Sequence, residues 1–452
     1  MNLPNYFLAD LPSEAALTAG LITEACQTLK RNGRQFLEGR TTDGIIRVLD
    51  QLGRDWQSAD FPFRRAALEA GPAATGFSAE VLSAGLDWFF QQLTGENLEA
   101  LLRQELGRAQ RLDDFAHHQD EGDGGRAAMA IGPRLLAHIA PGNIPVPALM
   151  EMVLGLLARS AQFVKCGTGQ SVVPRMFAHS IYEADRKLGA CLEIAAWKGG
   201  SENLETALFA QADCVVATGS DETLAAIRRK LPAGARFIGH GAKVSFGYIT
   251  RQALEHHARA LAEQAAADVT AWNQRGCLSP HVIYVEERGA VESDEFAKRL
   301  AVELAQREIT EPRGKISVEE SAAIAARRAI YETIAAHRAD AKIWSSANST
   351  AWTVVFEHDV KFRFSPLNRF VFVKPVPDVN AVLQGVDEIR GKVSTVGIAA
   401  PPEKMKDVAM HFARWGATRI CPLGQMQNPP LTWRHDGRPA LGDLITWTDF
   451  EL

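Results

Sequence analysis

The stretch LLAHIAPGNIPVPALMEMVLGLLARSAQFVK, residues 135–165, decides the fold that we expect for this chain. A short apolar run at 135–140 leads into a turn and a helical segment at 146–158, and a second apolar run follows at 162–165. The alternation continues through strand candidates at 192–197, 214–218 and 236–238 and helix candidates at 173–188, 203–210 and 221–229. This pattern predicts an α/β unit with a parallel sheet covered on both faces.

The rest of the chain divides around this unit, which we place at 126–249. Residues 1–125 carry apolar residues at helical spacing and predict packed helices that end in a flexible loop at 119–126. Residues 250–421 predict a second α/β unit, with helices at 251–270, 291–307 and 318–338 and strands at 281–285, 352–357 and 370–374. Residues 422–452 carry turns and isolated aromatic residues and predict an extended arm or edge strands.

The composition of the chain bears on which partners the protein binds and on the compartment in which it works. The 452 residues are 46% hydrophobic and 23% charged, and 49 basic against 54 acidic side chains give a net charge of −5. That balance gives no reason to expect nucleic acid or an anionic membrane as a partner. The most hydrophobic run is too short and too interrupted for a membrane helix. The six cysteines form no CxxC pair or Cys/His cluster, so we expect no metal site and a reducing, cytoplasmic location.

Cys277 is the most informative single residue. It follows the polar run WNQRG at 272–276 and precedes the strand candidate at 281–285, an arrangement that presents a thiol at the floor of a cleft. A presented thiol can attack a carbonyl and hold an acyl group as a thioester. Its pKa, ordinarily about 8.5, must fall for this chemistry, and we expect Arg275 or a helix N-terminus to lower it. Most cysteines are small buried hydrophobes, but the flanking sequence favours a nucleophile here.

Three other segments end strands of the first unit. Asn143 stands before the helix at 146–158, where it can cap that helix or donate its amide to an oxyanion. Lys165 precedes a glycine-containing loop suited to the ribose or phosphate of a nucleotide. The turn at 218–221, with Gly219 and Ser220, either faces a pyrophosphate with its N–H groups or only caps a helix. Both interpretations stay open, and no GxGxxG fingerprint occurs.

The order of these motifs resembles the aldehyde dehydrogenase superfamily. More closely, the chain is similar to the acyl-CoA reductases of the type that makes the fatty aldehyde for bacterial luciferase. The similarity covers roughly residues 130–452 and rests on an ordered set, each member of which is weak alone: Pro-Gly-Asn-Ile-Pro at 141–145, Val-Lys at 164–165, Thr-Gly-Ser at 218–220, Gly-Ala-Lys at 241–243, Gln-Arg-Gly-Cys at 274–277, GQMQNPP at 424–430 and WRHDG at 433–437.

The resemblance implies an aldehyde-dehydrogenase-like fold with a nicotinamide-binding domain at 126–249, a catalytic domain at 250–421 and an oligomerisation arm at 422–452. It implies that Cys277 is the nucleophile and that Asn143 helps to hold the oxyanion. Lys165 matches the lysine that contacts the adenosine ribose, and Gly219 and Ser220 match the turn beside the pyrophosphate.

Two departures from the superfamily pattern bear on the reaction. Hydrolytic aldehyde dehydrogenases carry a glutamate that activates water, and Gly239 occupies that place, so a thioester should persist. His240 is adjacent, but a strand-end histidine is more often packed or solvated. NAD-preferring relatives often carry a glutamate three residues after the lysine, where this chain has the neutral Thr168, which accepts NADPH. We assign no role to Asn368 or Arg369, which lie where a nicotinamide-ribose contact is expected.

We therefore expect NADPH-dependent reduction of long-chain fatty acyl-CoA to fatty aldehyde through an acyl-cysteine, with NADH as a second possible reductant. The alternatives are an NAD-dependent CoA-acylating aldehyde dehydrogenase, a hydrolytic aldehyde dehydrogenase and a non-catalytic acyl carrier. The substrate would be acyl-CoA or another acyl thioester. The family suggests an acyl-activating ligase as a partner and a homo-oligomeric assembly.

Overall fold

The computed structural model describes residues 3–12, 14–117 and 126–451. The loop predicted at 119–126 lies outside these residues except for Arg126, which begins a strand. Among the described residues, no helix is long and apolar enough to cross a membrane.

Five helices form the N-terminal region, and a threonine or serine starts most of them. The side chains of Thr18, Thr41, Ser78 and Thr94 each accept a hydrogen bond from a first-turn backbone N–H, which replaces a partner that helix ends lack. The helices are α1 (Ala19–Phe36), α2 (Thr42–Gln57), α3 (Pro62–Thr75), α4 (Ala79–Gln92) and α5 (Gly95–Leu106). Strand β1 (Arg126–Ile131) follows them.

The first parallel sheet has the strand order β4-β3-β2-β5-β6. Its strands are β2 (Leu135–Ile139), β3 (Ala161–Cys166), β4 (Leu192–Ala196), β5 (Cys214–Thr218) and β6 (Arg236–His240). They alternate with α6 (Val146–Leu157), α7 (Val172–Ala184), α8 (Arg186–Gly189), α9 (Glu202–Phe209) and α10 (Asp221–Lys230). The chain moves outward from β2 to β4 and then returns to β5, so the carboxyl ends of β2 and β5 flank the switch point where such sheets bind ligands.

Both faces of this sheet are buried, as the sequence predicts. Along β2, Leu136 joins one core while Leu135 and Ala137 join the other, because successive side chains of a strand point to opposite faces. Helices α1, α9 and α10 cover one face, whereas α2, α3, α4, α5, α6 and α7 cover the other. The N-terminal helices therefore form part of the wall around the first sheet.

The second sheet contains seven strands in the order β13-β12-β7-β8-β11-β10-β9, all parallel to their neighbours except β9. Its strands are β7 (Val244–Ile249), β8 (Pro280–Glu286), β9 (Ala341–Ser345), β10 (Thr353–Glu357), β11 (Phe370–Val376), β12 (Val393–Ala399) and β13 (Arg419–Pro422). Its helices are α11 (Arg251–Thr270), α12 (Ser293–Thr310), α13 (Val318–His337), α14 (Val379–Gly385) and α15 (Pro402–Trp415).

The two sheets divide at residues 241–243, earlier than the predicted domain boundary at 249. Strand β7 pairs in parallel with β8 and β12, so its hydrogen bonds place it in the second sheet. A fully buried apolar strand suits the middle of either sheet, and composition does not reveal its pairing partners. The α/β class and the parallel sheets are confirmed.

The C-terminal segment ends in β14 (Thr446–Glu451), which pairs antiparallel with β1 in a separate two-stranded sheet. Arg126 lies opposite Glu451, and Ile131 lies opposite Thr446. The side chains of Trp447 and Phe450 are exposed on this sheet.

Helix α4 packs so closely on the segment before Cys277 that Gly85 has no room for a side chain. A Cβ at Gly85 would lie 2.0 Å from the Trp272 ring. We predict that Gly85→Ala lowers the free energy of unfolding by about 1–3 kcal/mol through overpacking. Denaturation followed by tryptophan fluorescence measures the change. Gly20→Ala is the matched control, because the nearest atom to its Cβ is 3.7 Å away; equal stability of the two variants would contradict the prediction.

Candidate active site

Three consecutive left-handed residues precede Cys277. Trp272, Asn273 and Gln274 have φ values of 50°, 51° and 64°, a region that residues with a Cβ seldom adopt. The Asn273 side chain holds the turn on both sides, since its Nδ2 donates to the Arg313 carbonyl at 2.7 Å and its Oδ1 accepts from Arg369 Nε at 3.1 Å. The path of the cysteine loop is thus fixed by buried hydrogen bonds.

A second left-handed run, residues 367–369, lies against the first. Gln274 joins the two, because its amide donates to the Phe370 carbonyl at 2.8 Å and accepts from the Phe370 N–H at 2.9 Å. Arg369 is fully buried and pairs with Glu308 at 2.8 Å. Asn368 and Arg369 therefore lie near the site because they support the cysteine loop.

Cys277 as a residue is half-buried, and the residues around it hold its backbone. Ser245 Oγ donates to the Cys277 carbonyl at 2.7 Å, and Gln427 Nε2 donates to Ser279 Oγ at 2.8 Å. All six cysteines are free thiols, and Cys166, Cys191 and Cys214 are buried in the core as predicted.

The prediction that Arg275 lowers the pKa of Cys277 is wrong. Burial raises the pKa of the Cys277 thiol to about 11, and the charge of Asp436 acts in the same direction. The Ser394 hydroxyl and Arg419 act against this increase without reversing it. Arg275 instead pairs with Glu320 at 2.9 Å and lies over the Phe77 ring. The resting thiol is therefore protonated at neutral pH.

Asn143 lies at the cysteine loop. Its Nδ2 donates to the Arg275 carbonyl at 2.7 Å, so the loop after β2 touches the loop before β8. An amide nitrogen carries two hydrogens, and this bond uses one of them. No side-chain cap from residue 143 is present on α6, whose N-cap is Pro145.

Cys277 opens into a cavity of about 200 Å³. Its walls come from α4, α6, the first sheet and the C-terminal segment, and they include Trp88, Phe89, Met150, Leu154 and Leu431. The wall is mostly apolar, and the N-terminal helices contribute to it. A contribution from α4 was not foreseen, because the amphipathic pattern of a helix does not show what its apolar face contacts.

The predicted cofactor residues lie at the carboxyl edge of the first sheet. Lys165 is the penultimate residue of β3 and is buried, and burial lowers its pKa while Glu205 acts in the opposite direction. Thr168 follows in an exposed turn. The Gly219 N–H donates to the His240 carbonyl at 3.1 Å, and Ser220 caps α10 by accepting from the Thr223 N–H. The capping interpretation of Ser220 is therefore realised, and contact with a pyrophosphate stays a prediction.

Sequence reasoning missed a polar cluster in the cavity wall. His240 and His435 line the cavity together with Cys277, and Asp436 follows His435 in a short turn. His240 Nδ1 lies 3.1 Å from Asp436 Oδ2. The Asp436-Gly437 dipeptide was a usable signal, since Asp-Gly marks a turn with left-handed residues, but nothing in the sequence places it near Cys277.

The acyl-CoA reductase (LuxC) family matches residues 37–447 of this chain. A long-chain acyl-protein thioester reductase from Aliivibrio fischeri is 22% identical over 414 residues, which are 90% of this chain and 82% of the relative. The protein of the same name from Vibrio harveyi is 23% identical over 421 residues, which are 92% of this chain and 84% of the relative.

A solved structure with the same fold is the NADP-dependent glyceraldehyde-3-phosphate dehydrogenase from Bacillus halodurans, determined with NADP. It superposes with a TM-score of 0.70 at 14% identity and covers 97% of this chain and 92% of its own. At this identity the likeness shows an aldehyde dehydrogenase fold and no more. The family match over nearly the whole sequence shows that this chain belongs to the acyl-CoA reductase (LuxC) family.

Proposed function

We propose that this protein reduces a long-chain fatty acyl thioester, acyl-CoA in the first instance, to the fatty aldehyde through an acyl-cysteine at Cys277, with NADPH as the reductant. The observation that carries the proposal is the opening of Cys277 into a mostly apolar cavity. Such a wall favours a linear acyl chain, because each buried methylene contributes about 0.8 kcal/mol. The names of the two relatives support an acyl thioester and make an acyl-protein thioester the second substrate to test.

The chain's own residues suggest how the acyl group is held. The Cys277 thiolate attacks the carbonyl carbon, and the second amide hydrogen of Asn143 can stabilise the resulting oxyanion. The thiol of the carrier leaves, and the acyl group stays on Cys277. Residue 239 offers no carboxylate to activate water, and a Cβ there would lie 3.0 Å from the Phe237 ring. Reduction of the thioester gives a thiohemiacetal on Cys277, and its collapse releases the aldehyde.

A nicotinamide cofactor fits the carboxyl edge of the first sheet. When bound there, NADPH would supply a hydride to the acyl carbon. Lys165, Thr168, Gly219 and Ser220 are the residues that we propose to hold it. The fit is supported by Thr218 Oγ1, which is buried at the end of β5 and has no hydrogen-bond partner among the described residues. Thr168 is uncharged and exposed, so it does not repel a 2′-phosphate.

The assembly and the compartment belong to the same proposal. The exposed Trp447 and Phe450 on the β1–β14 sheet support its role as an arm in a homo-oligomer. An acyl-activating ligase would supply the acyl group, and the six free thiols suit the reducing cytoplasm.

Cys277→Ala should abolish both the acyl-enzyme and aldehyde formation, with a loss of about 10³-fold or more, because the nucleophile is gone. Mass spectrometry after incubation with acyl-CoA measures the first, and aldehyde formation with NADPH measures the second. Cys421→Ala, another half-buried thiol, is the control. Comparable aldehyde formation by Cys277→Ala would contradict the covalent mechanism, and free acid as the main product would favour a hydrolytic enzyme.

Asn143→Ala should lower kcat by about 10²–10³-fold if the amide stabilises the oxyanion. Asn143→Asp keeps the size of the side chain but cannot donate, so it should be equally slow. Steady-state kinetics with acyl-CoA and NADPH give the comparison. Full activity of Asn143→Asp would show that only the shape of residue 143 matters.

Thr168→Glu should shift the preference from NADPH towards NADH by about tenfold or more, because a carboxylate beside the 2′-phosphate repels it. The ratio of kcat/KM for the two cofactors is the measurement. Thr168→Gln has a similar size without the charge and should leave the ratio nearly unchanged. If both variants shift the ratio equally, residue 168 does not act through charge.

A further inference from the structure

We infer that His240 and Asp436 form a dyad that carries the proton of the Cys277 thiol when the acyl group is transferred to it. His240 Nε2 would be the proton acceptor, and Asp436 would position the imidazole. The inference rests on the proposed function for its substrate, an acyl thioester, but it concerns a step that needs no nicotinamide. It also gives a function to the polar cluster of His240, His435 and Asp436 in the cavity wall.

The first observation is the place of His240 on β6. His240 and Ile238 line the same cavity as Cys277, and Gly239 does not. Because side chains alternate along a strand, the residue after the superfamily's glutamate position is the one that faces this cavity. A proton acceptor therefore faces the cavity into which the thiol opens, although no carboxylate stands at residue 239.

The second observation is the contact between His240 and Asp436. Asp436 Oδ2 lies 3.1 Å from His240 Nδ1, which fixes the tautomer with its proton on Nδ1 and leaves Nε2 to accept a proton. Burial acts to raise the pKa of Asp436, but the hydrogen bond with His240 and the nearby His435 and Lys243 hold it below its ordinary value. Asp436 is thus an anion at neutral pH, as the partner of an imidazolium must be.

The third observation is the way the dyad is held. The ring of His435 stacks on that of His240, with centroids 4.2 Å apart and planes within 5° of parallel. Burial lowers the pKa of His435 to about 4, so it stacks as an uncharged ring. Asp436 has a φ of 56°, and left-handed residues other than glycine tend to persist where surrounding contacts require them, often at functional sites.

The same three side chains have possible metal-ligand atoms within 4.8 Å of one another. Their geometry favours proton transfer instead. Ring nitrogens bind a metal in the plane of the imidazole, and two parallel stacked rings cannot both point a lone pair at one ion. The hydrogen bond to Asp436 also occupies His240 Nδ1.

The dyad would remove the proton that keeps the Cys277 thiol unreactive. Burial raises the pKa of the Cys277 thiol to about 11, so only a small fraction of the thiol is ionised at pH 7. In the step that we propose, His240 Nε2 takes the thiol proton as the sulfur–carbon bond to the acyl group forms. The bond between the acyl carbon and the carrier sulfur then breaks, and the imidazolium returns the proton to the leaving thiolate. No electron is gained or lost.

The test is the acylation half-reaction without nicotinamide. Wild type and His240→Gln are mixed with acyl-CoA at pH 7, and release of free CoA thiol and the mass of the acyl-enzyme are followed in time. We expect acylation of His240→Gln to be slower by about 10²–10⁴-fold. His337→Gln, an exposed histidine at the end of α13, is the matched control and should react like wild type. A chelator should not change the wild-type rate.

Two measurements separate a proton carrier from a structural residue. Added imidazole should restore acylation to His240→Ala, which also controls for misfolding. Between about pH 6 and about pH 10, the His240→Gln rate should rise about tenfold per unit, since only the thiolate reacts. The wild-type rate should rise less steeply. The charged groups that surround the dyad and the thiol, Lys243, Arg419 and Arg438, are the same in both proteins.

Asp436→Asn gives the sharpest contrast. If Asp436 acted only through its charge on the thiol, its removal would lower the thiol pKa and speed reaction with iodoacetamide. If it positions His240, its removal should slow both acylation and alkylation of Cys277. Faster alkylation by Asp436→Asn, or no imidazole rescue of His240→Ala, would overturn the dyad.

Alkylation also separates failure of the dyad from failure of the proposed function, because iodoacetamide needs no acyl substrate. If wild type is acylated and His240→Gln is acylated at the same rate, the dyad is wrong and the proposed function stands. If wild type forms no acyl-enzyme from acyl-CoA or an acyl-protein thioester but its alkylation depends on His240, the dyad stands and the proposed function is wrong.

Discussion

The position of Cys277 depends on hydrogen bonds between two left-handed turns that are far apart in sequence. Residues 272–274 and 367–369 all have positive φ without being glycine, and each such residue costs about 1–3 kcal/mol. The Gln274 amide bonds the main chain of Phe370, the Arg369 guanidinium bonds Asn273, and the Asn273 carbonyl accepts from the Asn368 N–H. Each turn offsets this cost through bonds to the other, so the position of the thiol depends on both segments being in place.

The rigid loop fixes the position of the Cys277 thiol, but it does not make the thiol reactive. A loop held by buried bonds places Cys277 at the meeting point of both sheets and the C-terminal segment, in surroundings that disfavour a thiolate. A thiol in such surroundings is protonated at rest, and this protects it, because oxidation and alkylation require the thiolate. In the function that we propose, a neighbouring group must remove this proton when substrate fills the cavity. Arg275 does not do this, because Glu320 and the Phe77 ring occupy its guanidinium.

Much of the fold could be predicted because periodicity is a local signal. The five strands of the first sheet were recognised from their apolar runs, and helix α11 was predicted with its observed bounds. Strand β7 was not predicted as a strand, and the boundary at 249 left its residues in the first unit. A buried apolar segment does not reveal its partners, and one partner of β7, β12, lies more than a hundred residues further along the chain.

The site could be predicted in part for the same reason. Cys277 and Asn143 stand in distinctive turns, and the structure brings Asn143 to the cysteine loop. The contact between His240 and Asp436 forms only in the tertiary structure. The sequence of either segment contains no signal that predicts it. The contact of α4 with Trp272 is hidden in the same way, since it leaves only an unremarkable Gly85 in a helix.

That contact also constrains how the chain is made. Helix α4 leaves the ribosome long before Trp272 is synthesised, and the groove at Gly85 stays open to water until the cysteine loop arrives. Phe77, Val81 and Leu82 line the same small core and are exposed for that interval. The packing of α4 can therefore be completed only after residue 272 has been made, and partly folded chains with exposed apolar surface are prone to aggregate.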